Sequence, residues 1–142
     1  MRDSNHPEVY VDPVEEARRY VRNAKDILNE KGKLDTECRH YTDRKYVRMA
    51  GNTLWNGVLL ILEAVFHVKK NKRSRANITD YEKIIAERDR KLLELVNDGY
   101  DMLHISMGYD GVGMKVFCQE GIRLANLIID RCATMLPATP AA

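Results

Sequence analysis

Leu54–Val68, LWNGVLLILEAVFHV, is the most apolar stretch of this chain, and its spacing is that of a helix rather than a strand. A helix turns about 100° per residue. On that wheel Ala50, Leu54, Gly57, Ile61, Ala64 and Val68 share one face, and Trp55, Leu59, Leu62 and Phe66 form another. Lys45, Asn52, Asn56, Glu63, His67 and Lys70 make a polar strip. A helix apolar most of the way round is buried by several neighbours. Asn52, Asn56 and Glu63 interrupt the run, and a bilayer span needs about 20 apolar residues. The pattern therefore predicts a soluble core helix from about Asp43 to Lys70, and no membrane span. Ala50, Gly57 and Ala64 recur at every seventh position of its first face. Gly within a helix costs about 1 kcal/mol against Ala, so close packing of a second helix backbone is the expected compensation.

Outward from this helix, three more periodic segments appear. Residues 1–11 read as a polar arm. Asp12-Pro13-Val14-Glu15 is a helix start, with Asp12 as cap, Pro13 in the first turn and Glu15 reaching back. Val14, Ala17, Val21, Ala24 and Leu28 follow at helical spacing to Lys31-Gly32, where Gly suits a left-handed cap. Residues 32–42 read as a polar connection with a helical turn near Thr36–His40. Thr79-Asp80-Tyr81-Glu82 is a second capping box, opening a third helix through Ile84, Ile85, Leu92, Leu95, Val96, Tyr100 and Leu103 to about Met107. That helix is continuous or slightly broken at Asn97–Gly99, a turn-like tripeptide. GYDGVG, residues 108–113, is a connection. The last helix runs from about Met114 to Leu136, Pro137 ends it, and 137–142 is a tail. No alternating strand pattern occurs. The expectation is a single all-α domain over 1–142, an antiparallel up-down four-helix bundle.

Composition agrees with a soluble globular protein. Over 142 residues 44% are hydrophobic, 31% are charged and the net charge is +2, so no global charge argument for nucleic acid exists. No signal-peptide pattern opens the chain, and cytoplasmic is the expected location. Cys38, Cys118 and Cys132 are odd in number and unpaired in spacing, which suits free thiols in a reducing compartment. Cys38-x-His40 is half a metal site without its other half. Glu63 and His67 stand four apart, not at the three-residue spacing of di-metal bundles. No metal or cofactor is expected.

His104 is the candidate of most chemical interest. Asp101 and Tyr100 precede it by three and four residues, and Tyr109 and Asp110 follow. A carboxylate at that spacing can orient an imidazole for general-base work, and the same residue types also tie helix ends to loops. Tyrosine and histidine combine an apolar body with a polar tip, so Tyr100, Asp101, His104, Tyr109 and Asp110 are the expected contacts for a small ligand, anion or RNA. Lys69, Lys70, Lys72, Arg73 and Arg75 form a basic loop. It reads either as a solvated helix C-terminus or as an anion contact, with Arg73 and Arg75 the candidates.

The segment MAGNTLWNGVLLILEAVF, followed by a long helix with a tyrosine-rich end and a polar turn, resembles the HEPN superfamily of small helical bundles. Ribonucleases of that superfamily share an Arg, a polar residue and then a His. In the matching segment here Asp98 fits the polar place and His104 the histidine, while Asn97 stands where Arg would be. Asparagine carries no fixed charge for a transition state. The chain is similar, too, to uncharacterised helical-bundle proteins of bacterial genomes, a resemblance that implies no function. No complete catalytic motif is present, so an enzyme is not the leading expectation. Two functional readings stand: a non-enzymatic, self-associating module, homodimeric and open to a protein partner, or a HEPN-like RNA-binding or RNA-processing protein using His104 and the basic loop.

Overall fold

Asp12 starts the first helix: its Oδ1 accepts the Val14 N–H at 2.9 Å, and Pro13 opens α1, Pro13–Lys31. The computed structural model describes residues 10–68 and 78–137; Arg73, Arg75 and the rest of 69–77 lie outside them. Ala17, Val21, Ala24 and Leu28 are buried along one stripe of α1. Gly32 closes the helix in a right-handed conformation (φ −70°), donating its N–H to Leu28 O. The left-handed residue is instead Lys33 (φ 53°).

The connection that follows is a small hairpin, not a helical turn. Strands β1, Leu34–Asp35, and β2, His40–Tyr41, pair antiparallel with Leu34 opposite Tyr41. Asp35 Oδ1 accepts the N–H groups of Glu37 and Cys38, which bends the chain locally before a helix can form. Two-residue strands leave no alternation to read.

Helix α2, Arg44–Phe66, is the core helix. His67 ends it in a left-handed conformation (φ 51°), ahead of the expected Lys70. Val47, Ala50, Leu54, Val58, Ile61 and Leu62 are fully enclosed, and Asn52, Asn56, Glu63 and His67 form the exposed strip. By length and composition alone Arg44–Phe66 could cross a membrane; here α1, the last helix and the helical segment that precedes it cover it. At Gly57 a Cβ would lie 2.9 Å from Tyr20 Cβ and 3.3 Å from Ala17 O, so α1 and α2 meet almost backbone to backbone.

The third helical segment is broken, at Asp89 rather than at Asn97–Gly99. Helix α3, Ile78–Arg88, stops there, and Asp89 caps α4, Arg90–Gly99, by accepting the Leu92 N–H. Asp89 also takes two hydrogen bonds from Arg131 on the last helix, at 2.6 and 2.9 Å. A cap held by a distant arginine outcompetes continuation of the helix.

At Gly99 the chain does not turn. It widens into a π-helix, Tyr100–Met107, in which Gly108 donates to Leu103 O and Asp110 to Ile105 O, five residues back. Helix α5, Lys115–Ala133, completes the fold and is mainly buried through Cys118, Leu124, Ala125, Ile128, Ile129 and Cys132. Its backbone neighbours join the two connections: Tyr41 N–H donates to Gly113 O and Lys115 N–H to Arg39 O. The protein is thus mostly helical, with one two-stranded hairpin among the described residues.

Candidate functional site

Residues four apart drift by about 40° around an α-helix of 3.6 residues per turn. Tyr100 and His104, four apart, stay neighbours on the π-helix, their rings tilted and 5.2 Å apart between centres, and both rings meet Trp55 of α2, at 5.7 and 6.0 Å. Leu103 and Met107 form the buried stripe. They press on α2 at Gly51, where a Cβ would lie 2.6 Å from Gly108 N. Asn52 fastens the end of the π-helix by donating its side-chain N–H to Gly108 O at 3.2 Å.

Among the described residues the Nδ1 atom of His104 is buried without a hydrogen-bond partner, and no carboxylate bonds to the ring. Asp101, the expected orienting group, points elsewhere: it lines a groove bounded by α4, the π-helix and α5. Tyr109 is exposed and Asp110 too, on the turn after the π-helix, where both N–H groups donate to Ile105 O. Of the five residues expected to converge, Tyr100 and His104 do so, with Trp55 as an unforeseen third member; Asp101, Tyr109 and Asp110 do not join them.

The groove containing Asp101 is the larger feature, about 970 Å³. One wall is the stripe Lys91, Leu95, Asp98, Met102 and Ser106, and the other carries Phe117, Leu124 and Leu127 of α5. Arg131 donates to Asp89 across one end and holds that carboxyl below its ordinary range. Arg123 pairs with Glu120 on the α5 wall.

The thiols offer little reactivity. Burial pushes Cys118 up to about 11 and Cys132 up to about 12, so neither is a thiolate at neutral pH. Cys38 is exposed, and His40 Nδ1 lies 3.0 Å from its carbonyl oxygen. Among the described residues no group of three His, Cys, Asp or Glu is placed to hold a metal ion.

A family model described as a domain of unknown function (DUF5618) matches residues 12–134. Among solved structures, a protein of unknown function from Dyadobacter fermentans is similar, with 38% identity and a TM-score of 0.78. The match covers 88% of this chain and 96% of that one. No curated protein matches.

Proposed function

We propose that this chain, which belongs to the DUF5618 family, is a non-enzymatic helical module that self-associates as a cytoplasmic homodimer. We read α1, α2, the α4–π-helix rod and α5 as an up-down four-helix bundle with α3 appended, in support of which each of the four touches α2 or α5. The observation that carries the self-association is a set of exposed large apolar side chains at the end where the connections meet. Tyr109 is 74% exposed, Val116 64%, Met114 48% and Met49 44%. Gly108 is tied to Asn52, Gly113 to Tyr41 and Met114 to His40, so the turn carrying these residues is held against β2 and the first half of α2. Apolar surface of this kind marks association sites, and two-fold dimers are the commonest assembly. The core helix does not supply that surface, since its own chain encloses Leu54, Val58, Ile61 and Leu62. Free thiols at Cys38, Cys118 and Cys132 accord with a reducing compartment. Light scattering at micromolar concentration is expected to give a dimer mass, and Tyr109→Asp with Val116→Asp to give a monomer. A monomer mass for the unaltered protein sinks the proposal.

One observation favours a second reading, the HEPN-like RNA protein. His104 occupies the histidine place of that resemblance, with an unpaired Nδ1 beside Trp55 and Tyr100. Asn97 weighs against cleavage, for it brings no positive charge to the phosphate. RNA cleavage and RNA binding assays at low salt separate the readings: activity abolished by His104→Ala supports the second, and neither cleavage nor binding by the unaltered protein removes it.

A further inference from the structure

We propose that the groove between α4, the π-helix and α5 is a docking site for a basic amphipathic helix of a partner protein. Its apolar face would rest on Leu95, Met102, Phe117 and Leu127, and its cations would meet Asp98 and Asp101. This goes beyond self-association and uses a different surface, since none of Met49, Tyr109, Met114 and Val116 lines the groove.

Charge complementarity selects the occupant. Nearly all charges on the walls are answered within the chain: Asp89 by Arg131, Glu120 by Arg123, Asp130 by Arg18 and Lys91 by Glu94. Asp98 and Asp101 are the exceptions. Both are exposed, and neither has an ion pair or hydrogen bond among the described residues. They sit three residues apart, at the junction of α4 and the π-helix. The uncompensated charge of the groove is therefore negative and concentrated midway along one wall. A nucleic acid backbone is repelled by such a wall; a row of Lys or Arg is attracted.

Shape selects a helix. The wall from Lys91 to Ser106 is a helical rod of roughly 20 Å, the α-helical part rising 1.5 Å per residue and the π-helical part less, antiparallel to α5, because Asp89 meets Arg131 at one end while Leu103 and Met107 lie against Gly121 further along. Two such rods make a furrow into which a third helix lays its side-chain ridges. Leu95, Met102, Phe117 and Leu127 are half-buried on its floor, an apolar strip too narrow for a flat interface and suited to a helical stripe.

The test uses the whole protein and two synthetic probes, amphipathic helices of about 18 residues made of Leu and Lys or of Leu and Glu. The Leu/Lys peptide is expected to shift amide signals along residues 95–106 and 117–131. Asp98→Asn with Asp101→Asn is expected to weaken it about tenfold, the order of two exposed ion pairs. Leu127→Asp should weaken it too, whereas Glu30→Gln with Glu87→Gln, exposed acids elsewhere, should not. Thermal melts of the Asn variant, unchanged, separate lost binding from lost fold. Binding of the Leu/Glu peptide at the same affinity overturns the proposal, as do shifts scattered over the surface or equal loss in the control variant. If Leu127→Asp turns a dimer into a monomer, the groove belongs to a second copy and the proposal falls; a monomeric but peptide-binding protein overturns only the self-association.

Discussion

Two helix pairs in this fold show what side-chain size does to an interface. At the α1–α2 seam small residues face each other, and Gly57 lies against Tyr20 Cβ and Ala17 O, atoms fixed to the backbone. Between the π-helix and α5 the corresponding glycine is Gly121, where a Cβ would lie 3.0 Å from Leu103 Cδ2 and 3.1 Å from Met107 Sδ, the free ends of side chains. Toward solvent that second pair, with the end of α4 beside it, carries Asp98, Asp101, Glu120 and Arg123, which cannot be buried without cost, so the helices part there and leave the groove. The first pair is spent on stability. The second retains surface that a partner can use.

If this contrast is right, the seam should be the less forgiving side. Gly57→Leu must displace backbone-anchored atoms and is expected to cost about 2–3 kcal/mol or more. An unchanged urea midpoint would break the comparison at its strongest point.

A smaller loss, about 1–2 kcal/mol, is expected for Asp89→Ala, which removes the cap of α4 and the link to Arg131. Arg131 and the Leu92 N–H hold the Asp89 carboxyl below its ordinary 3.8. A lowered folded value means that the unfolded chain binds the proton more readily. The stabilisation is complete above the ordinary carboxylate range and is lost as pH falls through the lowered value. Urea titrations at about pH 7 and about pH 3 should therefore show the variant and the parent converging in acid; a gap that widens in acid contradicts the assignment.

The smallest effect sharpens the contrast. Gly121→Ala gains up to about 1 kcal/mol of helix propensity and asks only flexible side-chain ends to give way. Its net change is expected to stay within about 1 kcal/mol. A loss as large as that of Gly57→Leu would mean that both sides are equally rigid.

Helices α1, α2 and α5 are legible in the sequence because their apolar spacing is regular and Asp12, Gly32 and Pro137 punctuate them. The break at Asp89 is not. It stands between Arg88 and Arg90 with no Gly or Pro nearby, and its partner Arg131 is 42 residues away. Asn97–Gly99 carries the stronger local turn signal, yet Gly99 is buried, with room for a Cβ only 3.1 Å from Ile128 Cδ1, and the helix runs on through it. The π-helix has no composition of its own, and it decides the site. Spacing correctly joined Tyr100 to His104, but an α-helical wheel also joined Asp101, which the wider turn carries to the groove. Trp55 was readable as core and not as a ring partner, since only the tertiary fold brings α2 beside the π-helix. Leu127 gives no signal of its own in the sequence and matters only across from Leu95 and Met102.

The hydrogen bonds that join the β-hairpin to the segment before α5 have a kinetic consequence. Loop amides ordinarily exchange with deuterium from solvent through local opening that leaves the core intact. Here the amide of Tyr41 is held by Gly113 and that of Lys115 by Arg39, each a residue of the other connection. Freeing either proton requires the two connections to part, and Gly113, pressed on Tyr41, and Met114, bridged to His40, part with them. The Tyr41 proton and that of Lys115, the first residue of α5, should therefore persist in deuterium with the slow class of the helices, making this end of the molecule a late-opening clasp.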